Sequence, residues 1–432
     1  MKKTLSLSLA LLLLLSLFVS CGQKADEPQE TTKTNTTINT EPPQKETTTK
    51  NESTTKDIYT NHTPTELSKP LEEYDFVHTF KAPEGNPRDI VYNYMYAMSQ
   101  IEWVATESWV TTWKEQGDFG VNLSYDAGKT YYGVPYSRTN GTLDEFEQYV
   151  INGTFKPNSP YYEEIVGNHC SSSMVMAFQQ VVDLTYTGSL KPTVSRTGLI
   201  QFPDGIEIPP ARANNPSNPD NWISETVFAH NGQEAIYNGY AQLDKGDILY
   251  KNIDGSGHSR MVSKVEIFKS PTGKLMPNRS YVYCIEQTNA WYDGNKNSTW
   301  WIDKKYSFST LWDTFFMPTT LCIYHEETPV ITDAYITMTG KNTPESIEKS
   351  LKGTLESNYP MTYARITITD KNGNIVAESL KYNLTKEYKI NLRSMHNNLK
   401  MSELPAGTYT YKLRAGIARG GVDIETFEFT KN

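Results

Sequence analysis

Within its folded part this chain changes hydrophobic period once, from helical to alternating, and that order restricts the architectures open to it. Asn86-Pro87-Arg88-Asp89 has the composition of a helix start, with Asn as cap, Pro in the first turn and an acid beside it. Val91, Tyr94, Met95, Met98 and Ile101 then recur at helical spacing. A loop-rich stretch containing Gly133-Val134-Pro135-Tyr136 follows, and a second helix is predicted to begin near Cys170, with Met174, Ala177, Phe178, Val181 and Val182 on one face. From Lys245 the pattern becomes that of strands. Gly246 precedes Asp247-Ile248-Leu249-Tyr250, Asp254-Gly255 marks a turn, and 260–268, 281–285 and 320–324 read as further strands. Helices followed by an antiparallel meander is the α+β order.

Near residues 326–329 a second unit is expected to begin. Residues 364–369 alternate, and Asn372-Gly373 is a strong two-residue hairpin signal. Residues 387–392, 407–415 and 422–429 read as strands, which predicts an Ig-like β-sandwich over 327–432. It would serve as a spacer or adhesion module.

The other end of the chain has a different composition. Residues 22–72 are dominated by Thr, Lys, Glu, Asn, Gln and Pro. With so little apolar surface they cannot offset the entropy of ordering, and a disordered tether is expected. Before them, Lys2 and Lys3 precede an apolar run over 4–19, then Phe18-Val19-Ser20-Cys21-Gly22. A small residue before a Cys at this place resembles the bacterial lipobox. The resemblance implies cleavage before Cys21 and diacylation of its thiol, each buried CH₂ of the lipid contributing roughly 0.8 kcal/mol to membrane attachment. A plain signal peptide is the alternative. The expected division is therefore 1–21 signal and lipidated Cys, 22–72 tether, 73–326 first domain and 327–432 sandwich.

The net charge of −9 argues against a nucleic-acid partner, whose phosphates demand a basic face. After Cys21 only Cys170, Cys284 and Cys322 remain. Three thiols cannot all pair, so one of them is expected to do chemistry. Cys170 is the best placed. It follows Gly167-Asn168-His169 and opens a helix, where exposed N–H groups and the helix dipole favour a thiolate. An imidazole partner would favour it further. His258 follows a Gly-rich turn and enters a strand. Glu286 and Gln287 end another, and either could hold the ring's second nitrogen, because a one-residue shift reverses which side chain faces the cleft. Trp291, Trp300, Trp301 and Trp312 lie just beyond, as a wall for substrate or as loop core. No HExxH, P-loop or dinucleotide fingerprint is present.

Cys at a helix start, then Gly-Asp-Ile-Leu, then Gly-His entering a strand, then a polar residue on the next strand: over about 120–325 this order resembles the papain-like peptidoglycan hydrolases of bacteria, the NlpC-type and CHAP-type amidases. The resemblance implies helices packed on an antiparallel sheet, with Cys170 as nucleophile, His258 as base and Glu286 as orienting carboxylate, Gln287 competing for that role. Tyr136, in the segment these families place before the nucleophile, Gln287 and Trp291 are expected to touch the substrate. It further implies a cell-wall peptide substrate, no cofactor and a monomer at the outer face of the cell membrane. The pattern departs from Asp-Cys-Ser-Gly at His169-Cys170-Ser171-Ser172, and Thr288 stands where CHAP-type domains often carry Asn. A cysteine hydrolase or transferase acting on another amide, and a non-catalytic surface binding protein, are the alternative functions.

Overall fold

The computed structural model describes residues 65–114, 123–186, 188–192, 199–210, 222–254, 256–384 and 386–432. The signal segment, Cys21 and residues 22–64 of the expected tether lie outside the described residues. The chain is a mixed α and β protein in which strands predominate.

Helix Pro87–Gln100 begins where its cap residues place it. Asn86 accepts a hydrogen bond from the Arg88 amide at 2.9 Å, satisfying one of the donors a helix start leaves open. Its apolar stripe buries Val91, Met95 and Met98 completely. Helix Cys170–Phe178 is buried along its whole length. The Ser172 hydroxyl closes its first turn, accepting from the His169 amide at 2.9 Å and donating to the Thr139 carbonyl at 3.0 Å. A third helix, Ser224–Gln242, has a weak periodic signal because Gly232, at φ +76°, breaks it in the middle. It lies against strand Met317–Leu321, where Gly239 permits close approach: a Cβ there would stand 2.5 Å from Ile206 and 2.9 Å from Pro318.

These helices surround a six-stranded antiparallel sheet in the order Trp300–Ser307, Tyr281–Gln287, Ser256–Glu266, Ile248–Ile253, Met317–Leu321, Ile200–Gln201. The strand expected over 320–324 lies earlier, at Met317–Leu321, and Cys322–His325 is a 3-10 turn. That turn lays the Tyr324 ring under the Arg88 guanidinium, 4.3 Å from its centre.

The second unit consists of two four-stranded antiparallel sheets around a core of their own. A hairpin joins Met361–Thr369 to Ile375–Lys381 where Asn372-Gly373 predicts one, but its turn is Asp370–Gly373, closed by the Gly373 amide on the Asp370 carbonyl at 3.0 Å with Gly373 at φ +83°, and not the expected two-residue turn. The expected domain limits need two corrections. Strand Phe76–Phe80 belongs to the second unit: it pairs with Ala334–Thr339, and Phe76 and Phe80 pack on that core. The edge of Ala334–Thr339 offers it hydrogen-bond partners over five residues. The tether also ends earlier than residue 72. Glu356 accepts from the Ser68 amide and hydroxyl, both at 2.7 Å, so residues around Ser68 are docked on the second unit.

Candidate active site

The segment Gly246-Asp247 anchors the sheet to helix Pro87–Gln100. Gly246 has φ +87°, and a Cβ there would press on the Tyr324 hydroxyl and the Arg88 backbone. Asp247 is buried and receives Arg88 at 2.8 Å, Thr320 Oγ1 at 2.6 Å and the Asp244 amide at 2.8 Å. Burial lifts its carboxyl to about 6, against the pull of Arg88 and Thr320. The Gly-Asp of the Gly-Asp-Ile-Leu run is thus a structural lock at the root of the strand that precedes His258.

His258 is the third residue of strand Ser256–Glu266, directly across from Lys251. Glu286 lies on the neighbouring strand, whose partner on the other side, Trp300–Ser307, carries an extra residue between Trp301 and Lys304, with Asp303 at φ +53°. Along its own strand Glu286 and Gln287 are consecutive, so their side chains face opposite sides. His258 Nε2 meets Glu286 Oε2 at 2.5 Å. The ring also hydrogen-bonds Cys170 at the first position of its helix. The three side chains, from a helix and two strands far apart in sequence, therefore form one line of contacts.

The charges in that line reinforce one another. Burial works against the imidazolium, but hydrogen bonds and attraction from Cys170 and Glu286 outweigh it and raise His258 above its ordinary 6.5. Burial likewise opposes ionisation of Glu286. Arg260, His258 and the Tyr306 hydroxyl overcome it and hold the carboxyl well below the usual range. Arg260 Nε donates to Oε2 at 2.9 Å, and the Tyr306 hydroxyl donates to Oε1. Cys284, by contrast, is a buried thiol whose pKa burial drives far upward. Cys170, Cys284 and Cys322 are thiols and not disulfide partners.

Glu286, and not Gln287, meets the imidazole. Gln287 points to the other side of its strand and donates to the Val134 carbonyl at 2.8 Å, a carbonyl that also accepts from Trp300 Nε1 at 2.9 Å. Tyr136 is as buried as Cys170, stacked on Tyr162 at 5.6 Å between ring centres. Its backbone bridges Asn168, two residues before Cys170. In this structure Tyr136 and Gln287 hold segment 133–136 between the Cys170 helix and the Glu286 strand, which corrects the expectation that their side chains face a ligand. Two glycines make that close packing feasible. A Cβ on Gly133 would come within 2.2 Å of Trp300, and one on Gly167 within 2.4 Å of the Pro135 carbonyl oxygen. Trp291 packs edge-on to Tyr125 at 5.1 Å and beside Tyr131, half-buried at the margin of an aromatic cluster.

Sequence reasoning missed Arg260, Tyr306 and Phe316. Arg260 was within reach of it, since a residue two places from His258 on a strand shares its face. Tyr306 and Phe316 come from separate segments and carried no such signal. Compared with protein-family models, with curated proteins and with solved structures, the chain matches none. Among the described residues no group of three or more His, Cys, Asp or Glu is placed to hold a metal ion. A thiol, an imidazole in contact with it and a carboxylate behind the ring are the parts needed for nucleophilic acyl transfer.

Proposed function

We propose that this chain is a cell-surface cysteine hydrolase of papain-like type that cleaves amide bonds in the peptides of the bacterial cell wall, with the two-sheet unit as an Ig-like companion domain. One observation carries the reading: His258 stands between Cys170 and Glu286, bonded to both. A structural histidine in a core needs one partner for each ring nitrogen, but a buried thiol at a helix mouth and an ionised carboxylate are the pair that gives an imidazole a task.

In the proposed reaction the Cys170 sulfur adds to the amide carbonyl carbon, and the Cys170 backbone N–H at the helix start stabilises the oxyanion. The C–N bond breaks as His258 gives its proton to the departing amine, leaving the acyl group on sulfur as a thioester. Water then adds to the thioester carbon while His258 accepts its proton. The C–S bond breaks, the acid leaves, and the thiolate is restored beside the imidazolium. Glu286 holds the ring in one orientation through both steps.

The wall as substrate rests on the resemblance of the Cys170, His258 and Glu286 contexts to peptidoglycan amidases and on the lipobox-like Phe18-Val19-Ser20-Cys21, which would hold the protein on the outer face of the membrane. Trp291 is the side chain proposed to meet the substrate. The test is incubation of the full chain with purified walls from several bacteria, following newly exposed amino groups and soluble peptides. Release that disappears in Cys170→Ala supports the proposal. No release from any wall, with Cys170 shown to be reduced, overturns it.

A further inference from the structure

Oxygen Oε2 of Glu286 receives two N–H groups, His258 Nε2 at 2.5 Å and Arg260 Nε at 2.9 Å. Arg260 is fixed there more firmly than an ion pair alone requires. Its guanidinium carbon lies 3.8 Å from the ring centre of Tyr306 and 3.8 Å from that of Phe316. Phe316 also stands edge-on to the His258 ring, 6.1 Å between centres. The two aromatic rings therefore set the guanidinium, the guanidinium and the Tyr306 hydroxyl set the carboxylate, and the carboxylate sets the imidazole.

We propose that Arg260 is a positioning residue for the Cys170–His258 pair: by occupying the same Glu286 oxygen as the imidazole, it fixes that carboxylate and limits the negative charge the ring feels. The inference rests on the hydrolase reading and says how its base is adjusted. A buried carboxylate with no other cation would bind the imidazolium so firmly that its proton would be slow to reach a leaving amine. Sharing the oxygen with a permanent cation weakens that hold while keeping the ring aligned.

The charged and titratable groups around the ring are few and can be controlled. Cys170 faces it from the helix, Lys251 from the adjacent strand, Glu286 and Cys284 from the next strand, and Tyr306 and Lys304 from the strand beyond; Arg260 shares its own strand. Lys304 is brought down to about 8 chiefly by burial, so its charge also changes near neutral pH, and Lys304→Met is the background in which to confirm the result.

The experiment is a pH titration of the His258 ring by NMR on the full chain in detergent, labelled with 13C at histidine Cε1, the His258 signal being the one missing in His258→Gln. Arg260→Met removes charge and hydrogen bond together. Arg260→Gln removes the charge and keeps an N–H donor, and serves if the Met variant does not fold. Both are expected to raise the His258 midpoint by about one pH unit, a tenfold gain in proton affinity. Arg260→Lys, which keeps the charge, is expected to stay within about threefold of wild type. A midpoint unchanged in a folded neutral variant overturns the inference, and so does a downward shift, which would mean that Arg260 serves only to keep Glu286 ionised. The readout needs no turnover. If the midpoint rises while walls remain intact, the hydrolase reading fails and the effect of Arg260 on the ring stands.

Discussion

Arg419 of the second unit donates to the carbonyl of Gln180, just past the end of the Cys170 helix, at 3.0 Å. The same guanidinium binds the Thr332 carbonyl and the Tyr359 hydroxyl, both at 2.7 Å, and Gln180 returns a bond to the Ala418 carbonyl at 2.8 Å. Ala418 is buried in the first unit's core although it belongs to a hairpin of the second. Near the helix start, Arg414 and Tyr363 both bind Asp144, in the short helix that follows the 139–142 segment. The two-sheet unit thus grips both flanks of the structure that presents Cys170.

The expected consequence is joint unfolding. Arg419→Ala removes several hydrogen bonds from a charged donor, each contributing about 1.5–3 kcal/mol. A chain ending at residue 326 is expected to lack a cooperative melt, because it loses Ala418, Arg419 and the partner of strand Phe76–Phe80. Calorimetry showing a normal transition for that shortened chain would count against the coupling.

Cys170→Ala is expected to abolish wall digestion, and His258→Ala to lower its rate by about 10²–10⁴-fold. Iodoacetamide should label Cys170 before Cys284, whose ionisation burial suppresses. Peptide mapping after brief alkylation at neutral pH distinguishes the two, and preferential labelling of Cys284 would contradict the assignment of the nucleophile.

Glu286 links the site to acid stability. Its folded pKa lies below the ordinary value of 4.5, so its contribution is present above that value and is lost as pH falls toward the folded pKa. Glu286→Gln leaves Arg260 buried without its anion and is expected to cost about 3–5 kcal/mol near pH 7. The difference between variant and wild type should shrink as the pH is lowered below 4.5. Denaturant midpoints measured from pH 7 to pH 3 check this, and a constant difference would refute it.

Glu145 should behave in the opposite sense. It is 5% exposed, its Oε2 has no hydrogen-bond partner, and burial raises its carboxyl to about 8. A raised folded pKa means stability that is full below 4.5 and declines as pH rises through 8. Glu145→Gln is expected to melt higher than wild type at pH 9 and to gain less at pH 6. Equal gains at the two pH values would show that the carboxyl is already ionised in the fold.

Much of the local architecture was legible in the sequence. Asn86 and Pro87 announced a helix, Asn372-Gly373 a hairpin, and the residues before Cys170 a helix mouth. Helix Ser224–Gln242 was not legible, because Gly232 interrupts its period and much of its length is polar. Strand Phe76–Phe80 was misplaced for a different reason. It fell within the expected first domain by position alone, and nothing in five residues says which sheet edge will take them.

The amino-acid sequence by itself determined where helix Pro87–Gln100 and the Cys170 helix begin and which residues were chemically equipped to form a site, because capping and periodicity act across a few neighbouring residues. The choice of Glu286 over Gln287 behind the imidazole, and the arrival of Arg260, Tyr306 and Phe316 around that carboxylate, were decided only in the tertiary structure. Strand alternation turns Glu286 and Gln287 to opposite faces, and which face meets the imidazole depends on contacts between segments that the linear order keeps apart.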